Sequence, residues 1–123
     1  MKIPENNQTV MPYLILGNAT DFISFTQKVF GAKELLKHMR DENKIMHAEI
    51  MIGDSTIMFA DATEQFKTST GTLFIYVENA DVTFEKAINK GATIVREITD
   101  EEYGRGGGIK DPFENVWWIT TPK

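Results

Sequence analysis

The feature that most constrains this chain is an internal repeat at a separation of 60 residues. Asp21 recurs as Asp81, and the dipeptide Gly31-Ala32 recurs as Gly91-Ala92. In both places the aspartate opens a segment of about ten residues that the Gly-Ala pair closes. A repeated unit of this length indicates two copies of one supersecondary structure rather than a single irregular fold.

Both halves show the same order of secondary-structure signals. The first half predicts strands over 9–16, 33–40, 44–52 and 55–61, and a helix over 18–30. The second half predicts strands over 72–77, 93–98 and 116–121, a glycine-rich extended stretch near 104–110, and a helix over 80–90. Gly31 and Gly91 act as the helix stops. We therefore predict an α+β fold, a single domain over 1–123 built of βαβββ modules at 9–63 and 71–121.

Alternation along the predicted strands separates a face that packs under the helices from the opposite face. The helix-facing set is apolar and comprises Val10, Leu14, Leu16, Met46, Ala48, Ile50, Ile52, Leu73, Ile75, Val77, Trp117 and Ile119. The opposite face is apolar and aromatic, with Met11, Tyr13, Ile15, Met51, Phe74, Tyr76 and Trp118 beside the polar groups His47, Glu49, Thr72 and Thr120. Such a face needs a cover, which is the other half, a partner chain or a small ligand. An aromatic wall with a few polar groups is typical of a ligand cleft.

Composition excludes several classes of function. The chain has 123 residues, no cysteine and a net charge of −5. It therefore has no disulfide framework and no thiol nucleophile, and its acidic balance disfavours binding to nucleic-acid phosphates. No apolar run approaches the roughly 20 residues that span a bilayer, and the polar segment 1–8 lacks the apolar stretch of a signal peptide. We expect a cytoplasmic protein with neither nucleic acid nor membrane as a partner.

Short motifs follow one another along nearly the whole chain. They are Pro12-Tyr13-Leu14, Val29-Phe30-Gly31-Ala32, His47-Ala48-Glu49-Ile50, Ile52-Gly53-Asp54-Ser55, Gly91-Ala92-Thr93, and Asp111-Pro112-Phe113 with Trp117. Together they resemble the glyoxalase/bleomycin-resistance/extradiol dioxygenase (vicinal oxygen chelate) superfamily, and most closely its PhnB-like branch. The resemblance implies that two modules with curved mixed sheets form a shared cleft, that the protein is a homodimer, and that its ligand is a small molecule.

The same resemblance bears on metal binding. In this superfamily four cleft strands each supply one position to a metal ion, and the motifs place Met11, Glu49, Thr72 and Trp118 there. Only Glu49 is a suitable ligand, because thioether, hydroxyl and indole groups do not replace imidazole and carboxylate. We therefore expect no metal site and no cofactor. A further departure is Glu114-Asn115, where the close relatives have Gly-His, so the turn there is expected to differ.

The candidate site residues each have more than one interpretation. His47 and Glu49 share a strand face and form either an acid–base pair, a clamp on a ligand or a self-satisfied hydrogen-bonded pair, and an apolar surround would raise the pKa of Glu49. Arg105 either anchors an anionic group or pairs with the acidic cluster 100–102. The glycine-rich stretch 104–108 is interpreted as a flexible strand edge or lid. The full ligand-binding set is Met11, Tyr13, His47, Glu49, Met51, Thr72, Phe74, Tyr76, Arg105 and Trp118.

The leading hypothesis is metal-independent binding of a small, partly apolar or aromatic molecule, of which a sequestering or resistance role is one form. The first alternative is a lyase or isomerase that uses Glu49 with His47. The second alternative is a structural dimer module whose own side chains fill its cleft.

Overall fold

The computed structural model describes residues 1–123 as two compact units, 1–70 and 71–123. The first unit contains β1 (Tyr13–Leu16), α1 (Ala19–Phe30), β2 (Lys33–Met39), β3 (Ile45–Ile52) and β4 (Ser55–Asp61). The second contains β5 (Thr72–Tyr76), α2 (Ala80–Asn89), β6 (Thr93–Glu101), β7 (Gly104–Lys110) and β8 (Val116–Pro122). The predicted α+β class and the doubled βαβββ order are thus confirmed. Neither helix is long and apolar enough to cross a membrane.

Each unit has a four-stranded mixed sheet with the same topology. The orders are β1-β4-β3-β2 and β5-β8-β7-β6. The β1–β4 and β5–β8 pairs are parallel, while the other neighbours are antiparallel. The parallel pair requires a crossover connection, and the helix together with the next two strands supplies it.

The start of each helix is tied to the last strand of its own unit. Asn18 and Asn79 are the N-caps, and each side chain accepts a backbone N–H from the first turn. The N–H of Ala19 donates to the buried carboxylate of Asp61 over 2.8 Å, and the N–H of Ala80 donates to the hydroxyl of Thr121 over 2.7 Å. The repeat is therefore structural. The caps are one residue further apart than the sequence match suggested, so Asp21 is the third helical residue and Asp81 only the second.

Two predicted core positions are exposed. Val10 is 86% exposed because β1 begins only at Tyr13. Met46 is 56% exposed. The pairing of β3 with β2 slips between His38 and Met39, so Met46 has no partner residue on β2. This β-bulge turns Met46 out and buries Ile45 completely in its place. The remaining predicted core positions of the first unit include Leu14, Leu16, Ala48 and Ile50, and these four are buried.

The glycine-rich stretch is neither a strand edge nor a lid, which corrects the prediction. It forms β7, an inner strand paired with β6 on one side and β8 on the other. Glycine is required there because neighbours lie close: a Cβ on Gly106 would meet the carbonyl oxygen of Ile119, and one on Gly108 would meet the ring of Trp118 at 2.5 Å. The missing side chains are what let the sheet and the Trp118 ring approach this strand.

Candidate functional site

Four polar side chains of the first unit form a continuous hydrogen-bonded chain. The hydroxyl of Tyr13 lies 2.9 Å from Nδ1 of His47. Nε2 of His47 lies 2.9 Å from Oε2 of Glu49, and Nδ2 of Asn7 donates to Oε1 of Glu49 over 3.0 Å. The rings of Tyr13 and His47 also stack, with centroids 5.5 Å apart. The structure therefore brings together three of the predicted residues and adds Asn7, which lies in the polar segment before the first strand.

Glu49 is held in its ionised form, which corrects the predicted upward shift of its pKa. Burial is the largest single effect and raises the pKa of Glu49, since the residue is only 7% exposed. The hydrogen bonds that Asn7 and His47 donate to the carboxylate are the largest of the opposing effects, and the net pKa of Glu49 lies below its ordinary value. The pKa of Tyr13 is raised, first by burial and then by the negative charge of Glu49.

The lowered pKa of Glu49 predicts a pH-dependent contribution to stability. A carboxyl whose folded pKa lies below its ordinary value of 4.5 stabilises the fold above that pH, and the contribution is lost as pH falls through the folded pKa. The difference in unfolding free energy between the native protein and Glu49→Gln should therefore be constant near neutral pH and shrink below 4.5. Urea unfolding across this range measures it. A difference that persists unchanged into acid would contradict the assignment.

The second unit carries a concave pocket of about 290 Å³ on its sheet. Its lining is mostly aromatic and glycine, with hydroxyls and one cation: Phe74, Arg96, Thr99, Tyr103, Gly106, Gly107, Trp118 and Thr120. Phe74 on β5 and Trp118 on β8 are direct partners in the strand register, so their rings share one face. Arg96 reaches the pocket from β6 while its Nη2 donates to Glu101 over 2.7 Å.

The pocket contains two of the predicted ligand residues, Phe74 and Trp118. Thr72 and Tyr76 lie on the same strand as Phe74 but do not line the pocket; Tyr76 contacts Phe74 edge to face instead. In the first unit, Met11 lies before β1 and Met51 is half-buried in β3.

Arg105 is occupied by an ion pair, the structural one of its two interpretations. It donates Nε and Nη2 to the carboxylate of Asp81, over 2.8 and 3.0 Å, and Nη1 to Asp100 over 3.1 Å. The hydrogen bond from Arg105 is the main reason that the pKa of Asp81 is lowered. The bidentate pair fastens the start of α2 to the β6–β7 hairpin, and Arg105 does not line the pocket.

Sequence reasoning missed Arg96, Thr99 and Tyr103 for a physical reason. The β6–β7 pairing slips twice, between Ile94 and Arg96 and again between Arg96 and Thr99. Each irregularity changes which face the following side chains occupy, so alternation alone cannot place Arg96 and Thr99. Tyr103 lies in the turn between β6 and β7, outside either strand. Thr120 lies two residues after Trp118 and was already placed on the same face by alternation.

Comparison with known proteins decides the family. The model of the Glyoxalase/Bleomycin resistance protein/Dioxygenase superfamily matches residues 8–119. The chain belongs to this superfamily. Among curated relatives, the uncharacterised proteins Mb0911c of Mycobacterium bovis and Rv0887c of Mycobacterium tuberculosis are each 32% identical over 123 residues, covering 90% of this chain and 81% and 72% of the relatives.

Several solved structures share the fold. TioX from Micromonospora sp. ML1 matches with a TM-score of 0.74 and 21% identity, covering 94% of this chain and 97% of that one. A PhnB protein from Bacillus cereus matches with a TM-score of 0.72 and 17% identity over 93% and 99%. The fosfomycin resistance protein FosX from Mesorhizobium loti matches with a TM-score of 0.66 and 14% identity over 98% and 94%.

The metal positions implied by the superfamily do not fit a metal ion in this chain. Asp61 and Thr121 each accept the N–H of the first helical residue of their unit. Met58 lies three residues before Asp61 and Trp118 three residues before Thr121, so Met58 on β4 is the counterpart of Trp118 on β8. Glu49 corresponds instead to Gly108. By the repeat, the four positions become Met11, Met58, Thr72 and Trp118, none of which is a carboxylate or imidazole. No group of three or more His, Cys, Asp or Glu side chains is placed to hold a metal.

Proposed function

We propose that the second unit binds a small, flat, partly apolar molecule on its sheet, without a resident metal ion. The observation that supports this is the aromatic pocket between Phe74, Tyr103 and Trp118. Its volume of about 290 Å³ lies at the small end of the range of ligand sites. Rings that present an apolar face and few polar groups favour stacking with a planar ligand.

The pocket is preorganised by the strand beneath it. The Trp118 ring rests against Gly108, where a Cβ would lie 2.5 Å from the indole, so the ring cannot move towards β7. Gly106 and Gly107 leave the floor of the pocket open. An aromatic side chain that is already fixed loses little conformational entropy when a ligand stacks on it.

The charge in the pocket favours a ligand with an anionic end. Arg96 is the only charged residue of the lining. Its Nη2 is used by Glu101, but a guanidinium carries five N–H donors and keeps others for a carboxylate. The partial neutralisation by Glu101 implies that ring stacking supplies most of the affinity and Arg96 supplies orientation.

A resistance or sequestering role is one form of this proposal. The superfamily name includes bleomycin resistance, and FosX is named a fosfomycin resistance protein. Both facts concern relatives, and the likeness to FosX at 14% identity shows the shared fold alone. For this chain the role rests on the pocket, which has the size to enclose one small molecule.

Binding is tested with 2-naphthoate, which is flat and anionic, and with the neutral 2-naphthalenemethanol. We expect 2-naphthoate to quench tryptophan fluorescence saturably, and Trp118→Ala to weaken its binding about tenfold by loss of the stacking ring. Arg96→Gln should abolish the preference for naphthoate over the alcohol. Binding is measured by isothermal titration calorimetry as well, because Trp118→Ala removes the tryptophan of the pocket and leaves only Trp117, which does not line it.

The matched control is Phe66→Ala, which removes an aromatic ring that is 60% exposed and lies outside the pocket. Its affinity for 2-naphthoate should equal that of the native protein. Equal weakening by Phe66→Ala and Trp118→Ala, or no saturable binding at all, would contradict the proposal.

A further inference from the structure

The first unit holds a group of hydrogen-bonded polar side chains that takes no part in the binding proposed for the second unit. A hydroxyl, an imidazole and a carboxylate follow one another at 2.9 Å steps, from Tyr13 through His47 to Glu49. We propose that these three side chains form a proton relay, which removes a proton from a weakly acidic C–H of a small molecule and returns it to a neighbouring atom. This is a second activity, carried by residues of the first unit alone.

The hydrogen bonds assign the direction of the relay. Glu49 is ionised and can only accept, and its Oε1 is already bonded to the amide of Asn7. Oε2 therefore accepts from Nε2–H of His47, which leaves the lone pair of Nδ1 to accept the proton of Tyr13. This is the order in which a carboxylate, an imidazole and a hydroxyl are joined in the catalytic triads of hydrolases.

The exposure of the three side chains fits a path from solvent to interior. Tyr13 is 47% exposed, whereas the side chain of His47 is 26% exposed and that of Glu49 only 9%. Tyr13 is therefore the most exposed of the three residues, and Glu49 the least. The sheet positions of the three residues are set by register, since Tyr13 and Glu49 both lie opposite Met58 of the intervening strand β4.

The proposed step balances in protons and electrons. The substrate C–H bond breaks and its electron pair remains on the substrate as an enolate. Its proton bonds to the Tyr13 oxygen while the original hydroxyl proton moves to Nδ1 of His47, which becomes imidazolium beside the Glu49 carboxylate. Reversal of the two transfers delivers a proton to another atom of the enolate, and the net reaction is isomerisation. Because the Tyr13 hydroxyl lies 2.9 Å from Nδ1 of His47, it can pass its own proton to the imidazole as it accepts the proton of the substrate, without forming a free phenolate.

The identity of residue 49 distinguishes a proton relay from a hydrogen-bonded network that only stabilises the fold. A glutamine at position 49 could accept one hydrogen bond from His47 and engage Asn7 without bringing a charge into a site that is only 7% exposed. Glu49 is hydrogen-bonded to His47 and forms no ion pair with a lysine or arginine. A buried carboxylate in this position is what an imidazolium requires for its stabilisation.

The activity is tested with 5-nitrobenzisoxazole, in which removal of one C–H proton breaks the N–O bond and releases a coloured cyanophenolate. We expect the protein to exceed the same concentration of free imidazole by on the order of 100-fold. His47→Gln and Glu49→Gln should each lose most of this excess. Tyr13→Phe should lose it too, because the substrate proton then has no entry to His47. Glu85→Gln, an exposed carboxylate on α2, is the control and should keep the native rate.

Two results would overturn the relay. The first is a native rate no higher than that of His47→Gln, and the second is a Tyr13→Phe protein with the native rate. A second measurement does not depend on the probe: the ¹⁵N shifts of the His47 ring should show the Nε2–H tautomer in the native protein at neutral pH. The Nδ1–H tautomer there would reverse the assigned direction and exclude the mechanism. Circular dichroism of every variant shows whether it has folded.

Discussion

Replacing Asp111 with asparagine is expected to lower the free energy of unfolding by about 3 kcal/mol. Asp111 is 3% exposed, and its carboxylate accepts four hydrogen bonds. One oxygen accepts the backbone N–H groups of Phe113 and Asn115, over 2.8 and 2.9 Å. The other accepts from the side chains of Asn115 and Trp117, over 3.0 and 2.8 Å. An asparagine keeps the shape but presents an NH₂ group to two of these donors, so both lose their partner in the interior.

The loss is measured by urea unfolding, and thermal unfolding should show a fall in Tm of roughly 10 °C. Asp54→Asn is the matched control, because Asp54 is exposed and its carboxylate accepts only from the neighbouring hydroxyl of Ser55. This control should change the unfolding free energy by less than about 0.5 kcal/mol. Similar losses in the two variants would mean that the Asp111 network does not stabilise the turn.

The turn that Asp111 organises also explains a departure from the superfamily pattern. Relatives were expected to have Gly-His where this chain has Glu114-Asn115. Glu114 adopts a φ of 76°, the left-handed conformation in which glycine is unstrained. The backbone thus has the conformation that suits glycine although the residue is not one. Glu114 pairs with Lys110 at 2.7 Å on the surface, and Asn115 is buried and hydrogen-bonded to Asp111.

The fold could be predicted because apolar residues and glycines recur at regular intervals along the sequence. Apolar residues recur at helical spacing in α1, and the glycines after both helices mark their ends, so every element was placed within a few residues. The errors fall where periodicity breaks. The bulge at Met46 exchanges the faces of β3 locally, and the glycines of β7 carry no side-chain pattern from which an inner strand can be read.

The candidate site was predictable only in part. Alternation placed Tyr13, His47 and Glu49 on one face, and the structure joins them. The pKa of Glu49 was predicted in the wrong direction because Asn7, which is 42 residues away along the chain, is brought to it by the fold. Asn7 is far from Glu49 in the sequence and lies in a segment without regular structure, so no local sequence pattern predicts their contact.

The repeat explains why the two sheets present different side chains at equivalent positions. In each sheet three residues lie side by side in register: Tyr13, Met58 and Glu49 in the first, and Phe74, Trp118 and Gly108 in the second. The polar positions of β3 therefore correspond to glycines of β7. The first unit fills this part of its sheet with hydrogen-bonded side chains, whereas the second leaves it open as the floor of an aromatic pocket.

Gly106→Ala is expected to cost about 2–3 kcal/mol of stability, because this glycine corresponds to His47 but has no room for a side chain. A Cβ there would meet the carbonyl oxygen of Ile119 and would lie 2.7 Å from the hydroxyl of Thr120. The carbonyl belongs to the backbone of the central strand β8, so relief requires β7 and β8 to separate and disturbs the pocket that both line.

Urea unfolding measures this cost, with Gly17→Ala as the matched control. A Cβ added to Gly17 would have no atom within 4 Å, and the backbone there is not left-handed, so the same methyl group should change stability by less than about 0.5 kcal/mol. Because an alanine narrows the pocket floor as well, Gly106→Ala should also weaken 2-naphthoate binding under conditions in which the protein is still folded. A Gly106→Ala protein with the stability of Gly17→Ala would show that the close approach of β8 does not require glycine.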